Sequence, residues 1–287
     1  MPRVAVVGAG TMGNGIAHVF AQHGWAVALV DVTPAALERA VATITGNLDR
    51  QIRKGTLTAE QRDAALSHLT TATDLGAVAG VGLVVEAAVE SESVKFPLFA
   101  ELDRLAPAGA VLASNTSSIS ITALGARTRR PEAVIGLHFM NPVPVMPLVE
   151  VIRGQATSDA TAGQAMAIAR ELGKTPVEVN DYPGFVANRV LMPMINEAVF
   201  CLMEGVASAE SIDTVMRLGM HHPLGPLALA DLIGLDVCLA ILEVLHRGLG
   251  DDKYRPCPLL RRMVAAGQLG RKSGRGFYDY RAEAAAP

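Results

Sequence analysis

Cysteine, aromatic residues and charge are all scarce in this 287-residue sequence. The three cysteines, Cys201, Cys238 and Cys257, lie far apart and form no CxxC pair. Such an odd, sparse set argues against a disulfide framework and against a zinc site, and predicts a reduced, cytoplasmic protein with no bound metal. Aromatics make up 4% and charged residues 18%, with a formal net charge of −3. The excess of positive charge that a general nucleic-acid binder needs is missing. Long apolar runs are missing too. The longest apolar region, 227–245, is interrupted by Asp231, Asp236 and Glu243 and reads as buried helix rather than a membrane span. The short run Val4-Ala5-Val6-Val7 leads into a glycine loop, unlike a signal-peptide core with its cleavage site. The expectation is a protein with neither nucleic acid nor membrane as a partner.

Apolar mass, by contrast, is plentiful. Hydrophobic residues are 50% of the chain, ample for a core, in a length that suits two domains or one large one. The first half alternates β-rich runs at 4–7, 26–30, 83–85, 110–113, 134–138 and 148–152 with stretches of helical periodicity at 12–22, 35–53 and 94–105. That alternation predicts βαβ units around a mostly parallel sheet. A helix over 160–172 and a last strand over 175–179 follow. The turn cluster Asn180-Asp181-Tyr182-Pro183-Gly184 then marks a change of character. Beyond it the chain reads as helical over 185–204, 208–218, 227–249 and 259–266.

Gly8-Ala9-Gly10-Thr11-Met12-Gly13 fits GxGxxG, follows a strand and opens a helix, the context that gives this otherwise weak string meaning. Gly8 permits the tight turn, Gly10 lets the backbone approach a pyrophosphate, and Gly13 lets helix and strand pack closely. With Thr11 and Met12 they form the candidate phosphate cradle, where unpaired N–H groups of the helix start point outward. The second strand ends at Asp31, about 20 residues further on, where a carboxylate takes the adenosine ribose hydroxyls and repels a 2′-phosphate. NAD is favoured over NADP, and FAD also fits these features alone. The fold class expected is therefore α/β, with an N-terminal Rossmann-type dinucleotide-binding domain over 1–183, an all-helical domain over 184–281, and a disordered tail at 282–287.

Two segments directly after strands are dense in polar groups: Ser114-Asn115-Thr116-Ser117-Ser118 and His138-Phe139-Met140-Asn141-Pro142. In open α/β sheets ligands bind beyond the carboxyl ends of the strands, so both should face one crevice. A neutral histidine suits the removal of a hydroxyl proton as hydride leaves carbon. It works better beside a carboxylate that fixes its tautomer. The Asn141-Pro142-Val143-Pro144 stretch can turn the chain back and bring Glu150 to His138 on a neighbouring strand. Ser117 and Asn115 supply donors for an oxygen that gains negative charge. From the residues alone, a structural histidine, an outward strand glutamate and a Ser/Thr loop explain the same positions.

The ordered set Ser-Asn-Thr-Ser-Ser at 114–118, His-Phe-Met-Asn-Pro at 138–142, Pro-Leu-Val-Glu-Val at 147–151, Gly-Phe-Val-Ala-Asn-Arg at 184–189 and Gly-Arg-Lys-Ser-Gly-Arg-Gly-Phe-Tyr at 270–278 resembles the L-3-hydroxyacyl-CoA dehydrogenase family, and within it the short bacterial 3-hydroxybutyryl-CoA dehydrogenase type. The resemblance implies NAD-dependent interconversion of (3S)-3-hydroxyacyl-CoA and 3-oxoacyl-CoA, and a homodimer formed through the C-terminal domain. It makes His138 the general base in oxidation, Glu150 its partner, Ser117 a hydrogen-bond donor to the reacting oxygen, and Asn188 a substrate contact from the second domain. It assigns Glu90, Lys95, Asn115, Asn141 and Lys272 to the nicotinamide cofactor. It also places Lys54 on the coenzyme A moiety, where Arg53 and Arg50 add positive charge.

Departures are few. Asn47 stands where the family has a serine contact to coenzyme A, Pro147 where many members carry Lys or Arg, and Ser273 for a frequent Thr. Pro147 leaves acyl chain length open and does not touch the reaction type. Two alternatives are kept: a related dehydrogenase on a free hydroxy acid of the L-gulonate type, and a catalytically silent binding protein on the same scaffold. A 3-hydroxyisobutyrate-type enzyme is expected to use a lysine in the helical domain, and residues 184–252 contain none.

Overall fold

In the computed structural model, which describes residues 1–281, the chain divides into two compact units, Met1–Tyr182 and a second beginning at Pro183. The tail expected to be disordered, 282–287, lies outside the described residues.

The first unit holds an eight-stranded sheet. Its strands are β1 (Arg3–Val7), β2 (Ala26–Val30), β3 (Leu69–Ala72), β4 (Leu83–Glu86), β5 (Val111–Ser114), β6 (Val134–Phe139), β7 (Leu148–Arg153) and β8 (Thr175–Asn180). The order across the sheet is β3-β2-β1-β4-β5-β6-β7-β8. Pairing is parallel from β3 through β6, antiparallel between β6 and β7, and parallel again between β7 and β8. The first six strands have the order of the doubly wound Rossmann sheet, with its switch point between β1 and β4, where dinucleotides bind. Strands β1, β4 and β5 are wholly buried over their apolar residues, which is why they read as continuous Val/Leu/Ala runs.

Helices α1 (Thr11–Gln22), α2 (Pro34–Arg53), α3 (Ala59–Ser67), α4 (Glu92–Leu105), α5 (Ile121–Gly125) and α6 (Asp159–Glu171) flank this sheet. Helix α2 begins with Pro34 at its first turn and buries Leu37, Ala40, Ile44 and Leu48, a three-four spacing that keeps one face on the core. The leucine and isoleucine side chains each contribute about 1.5–3 kcal/mol by leaving water, and the alanine less. Helix α3 carries a capping box between Thr58 and Gln61. The sequence reading gave neither α3 nor β3. β3 is a four-residue edge strand whose two central threonines are exposed, so it lacks an apolar pattern.

Helix α1 starts at Gly10, which caps it without a side-chain hydrogen bond. The glycines of the turn are dictated by close approach. A Cβ on Gly13 would fall 1.7 Å from the Gly8 carbonyl oxygen, and one on Gly8 2.5 Å from that of Ala87. A Cβ on Gly10 would meet nothing within 4 Å, leaving the helix start open to a ligand.

The second unit is helical: α7 (Ala187–Met203), α8 (Ala209–Thr214), α9 (Pro226–Ile233), α10 (Leu235–Leu249) and α11 (Pro258–Ala265). They enclose Met192, Ile195, Val199, Leu227, Leu235, Cys238, Leu242, Leu245 and Leu260. The single helix expected over 227–249 is two. Gly234, at φ +105°, breaks it, and the apolar periodicity runs on across the break. The segment 270–280 is strapped to this unit by two buried aspartates. Asp231 accepts from the backbone N–H of Phe277 and Tyr278 and from the Tyr280 hydroxyl, and Asp213 from the Tyr278 hydroxyl.

Candidate active site

His138 and Glu150 stand directly opposite each other in the antiparallel register of β6 and β7. The Asn141–Pro144 turn does reverse the chain, as the proline-rich stretch suggested, and the two strands it joins bring the side chains together. His138 Nδ1 lies 2.8 Å from Glu150 Oε2, with the residues 9% and 2% exposed. A carboxylate only accepts, so Nδ1 carries the proton and Nε2 is the basic nitrogen. The connecting loop is held from outside by Lys174, whose ammonium donates to the carbonyls of Val143 at 2.6 Å and Met146 at 2.9 Å. Burial lowers the Lys174 pKa from its ordinary value.

The segment after β5 lies on the next strand over. Asn115 Oδ1 accepts the backbone N–H of Phe139 at 2.9 Å, tying the ends of β5 and β6 together. Glu90 anchors the following turn. One of its oxygens accepts from Thr116 Oγ1 at 2.6 Å and from the backbone N–H groups of Ser117 at 2.8 Å and Ser118 at 3.1 Å. The hydroxyls of Ser117 and Ser118 reach the same oxygen at 3.1 Å. Burial alone would raise the Glu90 carboxyl. Lys95 and the bonds from Thr116, Ser117 and Ser118 outweigh it and hold Glu90 below the usual carboxylate range.

Lys95 and Glu86 lie beneath Glu90. Glu86 is fully buried at the end of β4 and pairs in register with Val7 of β1 and Ser114 of β5. It accepts from the Lys95 ammonium at 2.5 Å, the Ala88 N–H at 2.6 Å and the Ser114 hydroxyl at 2.6 Å. Lys95 is 1% exposed, and its ammonium also lies 3.5 Å from Glu90. The family resemblance singled out Glu90 and Lys95 but not Glu86. Among Val84, Val85, Ala87 and Ala88, a lone glutamate carries no local sign of what it will face.

On the other side of the glycine turn, Asp31 follows β2. Its Oδ2 accepts the Ala9 N–H at 2.8 Å and its Oδ1 the Thr33 N–H at 2.9 Å. The remaining sequence candidates are placed as follows. Thr11 is exposed and Met12 half-buried on the first turn of α1. Asn141 is exposed in the turn after β6. Arg53 and Lys54 are exposed at the C-terminal end of α2, where a helix dipole favours cations, and Arg50 there bonds Asn47 Oδ1. In the second unit, Asn188 is buried on α7, and Lys272 pairs with Asp236 at 2.5 Å.

This geometry fits a dinucleotide: an open helix start at Gly10, an acid at the end of β2, and polar groups beyond β4, β5 and β6. Comparison with known proteins decides the family. Residues 3–182 match the description "3-hydroxyacyl-CoA dehydrogenase, NAD binding domain" and residues 184–280 "3-hydroxyacyl-CoA dehydrogenase, C-terminal domain". The chain belongs to the 3-hydroxyacyl-CoA dehydrogenase family. It is 56% identical over 279 residues to the 3-hydroxybutyryl-CoA dehydrogenase of Bradyrhizobium diazoefficiens, covering 97% of this chain and 95% of that one. The solved (S)-3-hydroxybutyryl-CoA dehydrogenase of Ralstonia eutropha superposes with a TM-score of 0.95 at 51% identity, covering 98% of this chain and 99% of that one. The 3-hydroxyadipyl-CoA dehydrogenase of Escherichia coli is 46% identical over 98% of this chain, which spans 59% of that protein.

Proposed function

We propose that this protein oxidises (3S)-3-hydroxyacyl-CoA thioesters to 3-oxoacyl-CoA and runs the reverse reduction, with substrates like 3-hydroxybutyryl-CoA preferred. The observation that carries this reading is the buried His138–Glu150 pair at 2.8 Å, set at the strand ends of a sheet whose first turn suits a dinucleotide. NAD, when bound, would supply the hydride acceptor. His138 Nε2 takes the hydroxyl proton, and Glu150 stabilises the imidazolium that forms. Ser117 bonds the reacting oxygen, with its backbone fixed by Glu90. Gly8, Gly10, Thr11, Met12 and Gly13 take the pyrophosphate and Asp31 the adenosine ribose. The reading assigns Asn115, Asn141 and Lys272 to the cofactor, Asn188 to the substrate, and Asn47, Arg53 and Lys54 to coenzyme A.

The protein works as a homodimer through its helical domain in this reading. Leu218, Met220, Leu232 and Val237 are exposed there, and apolar surface of that kind suits a partner copy. The cysteines, free among the described residues, suit a cytoplasmic, reducing compartment.

The test is NADH oxidation with acetoacetyl-CoA, with free acetoacetate and NADPH as controls. Turnover only with acetoacetyl-CoA and NADH supports the proposal. Turnover of the free acid refutes the requirement for coenzyme A and moves the reading to a gulonate-type dehydrogenase. NADH binding without turnover of short, long or carboxylated 3-oxoacyl-CoA substrates refutes the activity and leaves a silent binding protein.

A further inference from the structure

The charges beneath the candidate cofactor crevice do not cancel. Glu86 is fully buried and Lys95 almost so, while the Glu90 side chain is 38% exposed. The neighbours of the Glu86 oxygens are all donors: an ammonium, a backbone N–H and a hydroxyl. A carboxylate, which only accepts, can take all three bonds. The Lys95 ammonium is enclosed by Glu86 at 2.5 Å, the Ala88 carbonyl at 3.3 Å and Glu90 at 3.5 Å. Two carboxylates thus share one ammonium, and a single negative charge remains.

The position of that charge follows from the topology. Asp31 at the end of β2 marks the adenosine side, and the glycine turn after β1 marks the pyrophosphate. The other half of the dinucleotide then extends over the ends of β4, β5 and β6, toward His138. Glu86 ends β4, and Glu90 carries the turn after β5. The nicotinamide ring is cationic when oxidised and neutral when reduced, so a fixed charge here acts on one form only.

We infer that the Glu86–Lys95–Glu90 triad is a fixed net negative charge that favours the oxidised over the reduced cofactor, with Glu86 as the positioning residue that sets its sign. This rests on the reading that the crevice takes NAD. It gives Lys95 a role different from direct contact: clamped beneath Glu90, it reaches the crevice through that carboxylate. Glu86 has a second task, because it also holds Ala88 next to Ala87, the residue against which Gly8 packs.

The test compares dissociation constants for NAD⁺, by calorimetry, and NADH, by fluorescence, in the wild type, Glu86→Gln, Glu86→Asp and Glu90→Gln. Either glutamine variant makes the triad neutral. Each is expected to raise the ratio Kd(NAD⁺)/Kd(NADH) by about tenfold, the scale of one unit charge in a partly screened crevice. Glu86→Asp keeps the charge and should leave the ratio at the wild-type value even if both forms bind more weakly. If the glutamine variants weaken both forms equally, or lower the ratio, the triad is only structural and the inference fails. Should Glu86→Gln not fold, Glu90→Gln reads the same charge. A wild type that binds neither form sinks the NAD reading itself. Loss of acyl-CoA turnover alone leaves this test intact.

Discussion

Replacing Glu150 by glutamine keeps the shape of the partner of His138 and removes only its charge. The two atoms are 2.8 Å apart and the carboxylate is 2% exposed, so solvent screens the pair poorly. The amide oxygen still accepts the Nδ1 hydrogen bond, and the tautomer and ring orientation survive. What is lost is the attraction between a carboxylate and the imidazolium that forms as the hydroxyl gives up its proton. A charged pair in such a site is worth about 2–4 kcal/mol more than its neutral counterpart. That is about 30- to 1000-fold in turnover. In the oxidation direction the loss falls on the imidazolium, which is absent from the ground state and forms as the proton moves, so kcat and kcat/KM should drop together while NADH affinity holds. The assay is the initial rate of NADH formation from NAD and (3S)-3-hydroxybutyryl-CoA, paired with an NADH titration. Turnover within about threefold of wild type, or an equal loss of NADH binding, would refute the pairing as the source of catalysis.

Asp31→Ala should raise the Michaelis constant for NAD about 10- to 100-fold, through lost ribose bonds and a loosened Ala9 backbone, and should narrow the preference over NADP, with little change in rate at saturating cofactor. Steady-state titrations with both cofactors check this. Asp103 is 5% exposed and receives the Arg129 backbone and side chain, each at 3.0 Å, with Arg130 Nε at 2.8 Å. Burial alone would raise its carboxyl, but the Arg129 hydrogen bonds and the charges of Arg130 and Arg129 hold it below the ordinary value of 3.8. A depressed folded pKa means stability that is fully present above 3.8 and lost as pH falls below it. Asp103→Asn should cost about 2 kcal/mol at neutral pH and flatten the acid limb of the stability curve, read by urea melts from neutral to acid pH.

The alternation of elements was legible because a strand and a helix of a doubly wound sheet each carry their own period. The glycine turn was legible in part for a related reason: Gly13 packs on Gly8, close along the chain, whereas the packing of Gly8 on Ala87 was not legible. The missed elements had weak local signals. β3 has two exposed threonines at its centre, and the break at Gly234 lies inside an apolar stretch that keeps its helical spacing. The Ser/Thr run at 114–118 was legible as polar and strand-terminal, but not as a turn organised on one oxygen of Glu90. That bond crosses 27 residues to Ser117, and nothing in either segment announces the other.

The sequence by itself determined the order of the βαβ units, the cradle at Gly8–Gly13, the acid at Asp31 and the candidacy of His138 and Glu150, because these depend on spacing within one or two adjacent elements. The tertiary structure decided what those residues face. The register of β6 on β7 makes His138 and Glu150 direct partners, where a slip of one residue would send their side chains to opposite faces of the sheet. The placing of β4 between β1 and β5 puts Glu86 within reach of both Lys95 and Ser114. A carboxylate at the end of an apolar strand is costly in isolation and acceptable only when donors from other elements converge on it. That convergence is a property of the packed sheet, and no window of sequence contains it.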